Sequence, residues 1–248
     1  MSAAQPRGAR TPHGSAEQDP ARWVQAMFGR VAGRYDFLNH LLSFNMDRAW
    51  RRRAVRRVRA ILARPGARVV DLCCGTGDLM LALEKERGGV VFGSDFCRPM
   101  LLEAREKSRR GRRKSLLFEA DALRLPLTDG SIDLITVAFG FRNLADYRAG
   151  LVEIRRVLKP EGVAAILEFS RPPNRLFARF YDFYSRRVLP VVGGAISGAR
   201  DAYEYLPSSV RNFPNAEEMA QEMRRAGFSQ VEYERMTGGI VALHLGRA

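Results

Sequence analysis

The 248-residue chain has little of what builds a metal centre, a disulfide framework or a membrane span. Of its three cysteines, Cys73 and Cys74 adjoin and Cys97 stands apart; no CxxC pair occurs and no histidine lies near them. That pattern excludes the usual zinc and disulfide frameworks, implies no metal, and fits a reducing, cytoplasmic setting. The three histidines, His13, His40 and His244, are scattered and form no constellation. Long apolar runs are also missing: Val188 to Ala199 is too short and too rich in glycine and proline to span a bilayer. Residues 1–20 lack a continuous apolar stretch and read as a disordered tail, not a signal peptide. Acids are scarce too. The formal charge is +14, and residues 1–62 carry twelve arginines against four acids. Such a field attracts phosphates, of nucleic acid or of an anionic membrane, and charge alone does not choose between them.

What is present is alternation. Helical spacing from Pro20 to Leu62 puts Met46, Trp50, Ala54, Val58, Ile61 and Leu62 on one stripe, and Arg64-Pro65-Gly66 ends it. Strands are predicted near 68–73, 90–95, 116–120, 132–138 and 163–169, with helices near 78–87, 98–109 and 146–158. This order implies a parallel sheet covered on both faces. A final helix near 215–226 precedes a closing hairpin, Phe228 to Glu234 and Ile240 to Leu245. The reading is one domain over 21–248, with a helical N-terminal addition at 21–63 and an inserted lid at about 171–211.

The segment Val69-Val70-Asp71-Leu72-Cys73-Cys74-Gly75-Thr76-Gly77-Asp78-Leu79 runs from a hydrophobic strand through a glycine turn into a helix. Glycines at 75 and 77 let a ligand approach the backbone, and the helix N-terminus points free N–H groups at the same spot. A dinucleotide fingerprint would need a third glycine where Met80 stands, which argues against NAD and FAD. Asp95 closes the next apolar run, where a carboxylate can accept both hydroxyls of a ribose. After the third strand, Asp121 and Ala122 are placed to meet an adenine; a turn or helix cap is the plain alternative for Asp121. With Asp71, Gly75, Thr76 and Gly77, these residues resemble the S-adenosyl-L-methionine site of seven-stranded methyltransferases. That resemblance implies an α/β fold with a seven-stranded, mostly parallel, Rossmann-like class I sheet.

Phe139-Gly140-Phe141-Arg142-Asn143-Leu144 follows the strand Ile132 to Ala138, the position nearest a transferred methyl group. The Asn/Asp-Pro-Pro-aromatic motif of methyltransferases acting on base amino groups is absent there. Arg142 and Asn143 suit a substrate oxygen becoming anionic, and a surface ion pair is the plain alternative for Arg142.

Two separated signatures carry a closer resemblance. Tyr35-Asp36-Phe37-Leu38-Asn39, Leu42-Ser43 and Arg48-Ala49-Trp50-Arg51 are similar to the first signature of the menaquinone and ubiquinone biosynthesis C-methyltransferases. Phe139 to Asn143, with Glu153 to Pro160 downstream, resembles the second. Asp47 stands where many members have His, and Ala138 where many have Ser. The resemblance runs from about Trp23 to the C-terminus. It implies methylation of a ring carbon of a polyprenylated quinol: demethylmenaquinol, or 2-methoxy-6-polyprenyl-1,4-benzoquinol in ubiquinone makers. On that chemistry Arg142 stabilises the phenolate, Asn143 and Tyr35 orient its oxygen, and Asp36 relays or accepts the proton. A packing and capping pair is the alternative for Tyr35 and Asp36. A nucleic-acid methyltransferase and a non-catalytic cofactor-binding scaffold are the rival readings. The arginine series lacks interleaved aromatics and no separate RNA-binding module is visible, so no nucleic-acid partner is expected. Expected instead is peripheral contact of the N-terminal arginines with the anionic inner face of the cell membrane, Phe177 to Ala199 covering the prenyl tail. Whether the chain forms a homodimer stays open.

Overall fold

The computed structural model describes residues 8–11, 19–113, 115–188 and 200–248. Helix α1 (Pro20–Leu42) starts where the Asp19 carboxylate accepts the Ala21 N–H at 2.9 Å and Pro20 occupies a first-turn position that needs no donor. Helix α2 (Met46–Leu62) buries the stripe Trp50, Ala54, Val58, Ile61 and Leu62, joined by Val55. Strands and helices then alternate as β1 (Val69–Leu72), α3 (Asp78–Arg87), β2 (Phe92–Asp95), α4 (Arg98–Arg110), β3 (Leu116–Glu119) and β4 (Ile132–Ala138). A short 3-10 turn at Phe141–Asn143 leads to α5 (Tyr147–Val157) and β5 (Leu158–Phe169). The insertion contributes α6 (Arg175–Phe183), a π turn at Tyr184–Val188 and α7 (Arg200–Asn212); α8 (Ala216–Arg225), β6 (Ser229–Met236) and β7 (Val241–Arg247) close the chain.

The seven strands run β3-β2-β1-β4-β5-β7-β6, parallel except for β7, which pairs antiparallel with both β5 and β6. The period of two in the central strands decides the layers. Val69, Leu134, Ala165 and Leu167 face α2 and α3, whereas Val70, Leu72, Ile135, Val137, Ala164 and Ile166 face α5 and α8. Both faces are therefore dry, as a parallel sheet requires. The chain reverses its direction of build between β1 and β4, which opens a crevice beyond their carboxyl ends.

Three sequence expectations change. Strand β5 begins at Leu158, directly after α5, not near 163. Helix α2 is no appendage: with Leu79, Leu83 and Val91 it completes the core on its face of the sheet. Of the expected N-terminal tail, residues 8–11 hold a fixed place. The Ala9 N–H donates to the Leu144 carbonyl at 2.8 Å and its side chain is buried with Val24, Met27 and Tyr205. Residues 1–7 and 12–18 of that tail, and 189–199 of the expected lid, lie outside the described residues.

His244 on β7 is buried, its Nε2 lies 2.8 Å from the Ala216 carbonyl, and its ring stacks on Tyr233 at 5.5 Å. Burial, outweighing the backbone hydrogen bonds, pushes its pKa down to about 4. The unfolded chain therefore takes up a proton near pH 6.5 that the fold refuses, so this contribution to stability is lost as pH falls from about 6.5 toward about 4. His244→Gln should remove it. Between about pH 7.5 and about pH 4.5 the wild type should lose on the order of 2 kcal/mol more than the variant in urea unfolding. Equal losses would show that His244 is protonated within the fold.

Candidate active site

The loop after β1 is held open by its own backbone. Gly75 (φ 54°) and Gly77 (φ 86°) take left-handed conformations that other residues adopt with strain, and a Cβ on Gly75 would meet nothing within 4 Å. The Cys74 N–H donates to Ser94 O at 2.9 Å, tying the loop to β2. Asp95, buried at the end of β2, accepts the Gly75 N–H at 2.8 Å and the Cys97 N–H at 2.9 Å. Burial raises the Asp95 pKa in spite of those N–H donors. Below the turn Asp71 accepts the Thr136 hydroxyl at 2.6 Å, and burial pushes its pKa up to about 7. Beyond these groups lies a cavity of about 290 Å³ lined by Asp71, Gly75, Thr76, Asp95, Phe96 and Asp121, with Ala122 and Asn143 also on its wall. A carboxylate at the rim, an aromatic ring beside it and an uncovered Gly75 fit a nucleoside cofactor, whereas Gly77 faces Met80 and Ala104 and lies outside the cavity lining. Asp121 is exposed and its carboxylate accepts the Leu123 N–H at 2.9 Å, which is the turn cap set out as its plain alternative. Ala138 lines the same cavity, without the hydroxyl that serine would bring.

A second cavity, about 400 Å³ and mostly apolar, shares Phe28, Tyr35, Arg51 and Phe139 with the first. Phe177, Phe180, Tyr181 and Tyr184 from the insertion, with Tyr205 and Leu206 from α7, form part of its wall. Arg142 lies in that wall, 5 % exposed. Its Nη1 donates to Glu168 Oε1 at 2.9 Å and to the Phe139 carbonyl, its Nε to Ser209 Oγ at 3.3 Å, and its guanidinium sits 5.3 Å from the Phe169 ring centre. Nη2 has no protein acceptor among the described residues, so it is the donor left for an oxygen in the cavity. Burial works against this charge, and Glu168 together with Tyr35 and Tyr205 outweighs it, raising the Arg142 pKa. Tyr35 is one of the four residues common to both cavities, and burial raises its phenol pKa although Arg142 pulls the other way. Asn143 accepts the Tyr205 hydroxyl at 3.1 Å.

The residues expected for catalysis are thus not all brought together. Tyr35 lines both cavities, Asn143 the first and Arg142 the second, but Asp36 lines neither. Its carboxylate accepts Lys107 Nζ at 2.7 Å and the Thr76 hydroxyl, bracing α1 against the glycine turn. The partners of the Asp36 carboxylate, expected as a proton relay, are thus Lys107 and Thr76 in this structure. Arg142 does form an ion pair, though a buried one. Sequence reasoning missed its partner Glu168, whose signal was an acid inside the apolar run Ile166 to Phe169. It also missed Arg51, which pairs with Asp47 and lies 5.4 Å from the centre of the Phe139 ring. His40, Asp47 and Asp78 cluster closely enough to ligate a cation, but Arg51 and Lys107 already supply positive charge to both carboxylates. Arg51, Ser43 and His40 hold the Asp47 carboxyl below the usual range against the opposing effect of burial.

The loops after β1 and β4 interlock. Cys73 (φ 53°) and Phe139 (φ 60°) are both left-handed, and a Cβ on Gly140 would lie 2.4 Å from the Cys73 Cβ.

Fold and site together define an S-adenosylmethionine-dependent methyltransferase. The profile of the ubiE/COQ5 methyltransferase family matches residues 15–248, and the chain belongs to that family. It is 49% identical over 221 residues to a demethylmenaquinone methyltransferase of Thermus thermophilus, covering 89% of this chain and 99% of that one. A ubiquinone/menaquinone biosynthesis C-methyltransferase UbiE of Geotalea uraniireducens is 42% identical, with 90% and 95% covered. Among solved structures, an S-adenosylmethionine-dependent methyltransferase of Thermotoga maritima, a possible histamine N-methyltransferase, aligns with a TM-score of 0.64 at 20% identity, covering 90% of this chain and 98% of that chain. The cyclase SpnF aligns at 0.68 with 16% identity over 97% of this chain and 98% of its own, so the fold by itself does not name a reaction.

Asp95→Ala should weaken S-adenosylmethionine binding by roughly 10- to 100-fold, the worth of about 1.5–3 kcal/mol in charge-assisted bonds. Calorimetric titration measures it. An unchanged dissociation constant would remove Asp95 from the cofactor site.

Proposed function

We propose that the chain methylates a ring carbon of a polyprenylated quinol, converting demethylmenaquinol to menaquinol, the last step of menaquinone biosynthesis. The observation that carries this reading is the apolar, aromatic-walled cavity abutting the nucleoside-type cavity, with two fixed guanidinium groups, Arg51 and Arg142, on its wall. A prenylated ring system matches such a lining, whereas a nucleic-acid backbone finds no row of cations in it. The relatives named above support the assignment. Two of the chemistries in their names differ in the ring, so 2-methoxy-6-polyprenyl-1,4-benzoquinol is the second substrate to offer.

In this reading the bound cofactor supplies an electrophilic methyl group on a sulfonium. Asp71, Gly75, Thr76, Gly77, Asp95, Asp121 and Ala122 hold the cofactor; Asp95 serves the ribose, and Asp121 and Ala122 serve the adenine. The quinol hydroxyl, with a pKa of about 10 like that of tyrosine, must ionise before its ring carbon becomes a strong nucleophile. Arg142 Nη2 donates to that oxygen and favours its anion, while the raised pKa of Tyr35 keeps a phenol proton available to the same atom. Asn143, anchored by Tyr205, fixes the loop beside the reacting groups. Glu168 does not touch the substrate; it aims the guanidinium. No helix among the described residues is long and apolar enough to cross a membrane; in this reading the enzyme meets its lipid substrate peripherally, at the inner face of the cell membrane.

The test is turnover of demethylmenaquinol and of the benzoquinol by the purified chain, with the product mass and ring position read by mass spectrometry. Methylation of neither, by protein that binds the cofactor, would refute the proposal. Arg142→Ala should lower kcat by about 100-fold while leaving cofactor affinity within about threefold, because its charge matters once the oxygen is anionic. Equal losses in kcat and cofactor affinity would mark Arg142 as a purely structural residue.

A further inference from the structure

The outer face of the insertion is unusually apolar for a surface. On α6, Leu176, Phe180 and Phe183 follow one another at helical spacing and are 79%, 70% and 64% exposed. The opposite face of the same helix sends Phe177 and Tyr181 into the wall of the apolar cavity, and Tyr184 continues it. Phe44, in the turn between α1 and α2, is 75% exposed, with its ring 6.3 Å from that of Tyr184. Its backbone is left-handed (φ 53°), followed by Asn45 (φ 59°), so a bulky aromatic is held outward in a conformation that such residues avoid. Phe44, Met46 and Phe180 line the cavity as well as being exposed, which makes the patch its mouth.

The surroundings of the patch are basic. Arg175, Arg179 and Arg187 are exposed on the insertion, and Arg48 is exposed in the first turn of α2 beside Met46. Soluble surfaces rarely carry large contiguous apolar patches, and one with a cationic rim matches an anionic lipid headgroup layer above an acyl core. A second copy would bring the same cations against this rim, so self-association through it is disfavoured. Four of the N-terminal arginines expected to do the docking are committed elsewhere: Arg53 and Arg57 pair with Glu232 and Glu234, Arg51 with Asp47, and Arg59 with Glu86.

We propose that Phe44, Leu176, Phe180 and Phe183 form a wedge that enters one leaflet of an anionic bilayer, so that the apolar cavity opens into lipid and its substrate arrives without crossing water. The wedge deepens the lipid-quinol reading and rests on it for its purpose. Leu176 and Phe183 lie outside the cavity lining, so Leu176→Ser/Phe183→Ser tests the wedge without altering the pocket. Flotation of the full chain with vesicles of phosphatidylglycerol and phosphatidylethanolamine should show binding that the double variant reduces by about tenfold or more. Arg175→Glu/Arg179→Glu should reduce binding chiefly at low salt. Turnover of a tail-less quinol in solution should be the same for wild type and Leu176→Ser/Phe183→Ser, while turnover of a long-tailed quinol in vesicles falls with the lost binding.

Equal vesicle binding by wild type and the serine variant, or no binding by wild type at low salt, overturns the wedge. So does a dimer in sedimentation that the serine variant splits, since the patch would then be a contact between copies. If neither the tail-less nor the long-tailed quinol is methylated but vesicle binding still falls on serine substitution, the wedge stands and the substrate reading fails.

Discussion

A buried charge pair organises this molecule. Arg142 and Glu168 are respectively 5 % and 1 % exposed, and each would be costly to bury alone. Their meeting is made tolerable by saturation: Glu168 also accepts the Arg142 and Phe169 N–H groups, and Arg142 also reaches the Phe139 carbonyl and Ser209. The pair therefore joins the end of β5, the turn after β4 and helix α7 at one point. Removing one partner would leave an uncompensated charge in the core, typically a loss of about 3–5 kcal/mol. The wall of the apolar cavity, the attitude of the insertion and the direction of the remaining guanidinium donor all follow from that knot.

Around it, charge is distributed by use. The +14 of the chain suggests a broad electrostatic surface, but Arg53 and Arg57 of α2 are spent on fixing helix to sheet. Arg53 grips Glu234 with two nitrogens, and Arg57 reaches both Glu232 and Glu234. Such partly exposed pairs add modestly to stability, and their geometric effect is larger, because they set α2 so that Trp50 can donate to Thr237 at 2.8 Å and stand against Phe139. Arg48, Arg52 and Arg56 remain exposed at successive turns of the same helix.

The sequence was informative wherever structure is local. Strand, glycine turn and helix around Gly75 and Gly77 are dictated by neighbours in the chain, and the alternation of elements led to the mostly parallel sheet covered on both faces, though not to its strand order. Asp95 was legible because strand ends in such sheets face the crevice. The surroundings of Asp36 were not legible for the opposite reason: its neighbour Tyr35 reaches the cavities, but Lys107 and Thr76, distant in sequence, hold the carboxylate. Glu168 went unseen because an acid in an apolar strand acquires meaning when its partner, 26 residues earlier, is known. Ala9 shows the same limit, since composition describes a tail and a single hydrogen bond to Leu144 gives part of it an address.

The contact between Gly140 and Cys73 has a consequence for how such enzymes diversify. A Cβ at position 140 would lie 2.4 Å from the Cys73 Cβ, so the loop that bears the glycine turn and the loop that bears Arg142 pass one another like two teeth of a gear. Neither can be lengthened, recoiled or borrowed from another protein without the other. A new acceptor specificity is then reached more readily through the insertion, whose helices touch the pocket from outside, than through the loops themselves. In this chain the part of the catalyst that is free to vary is its roof.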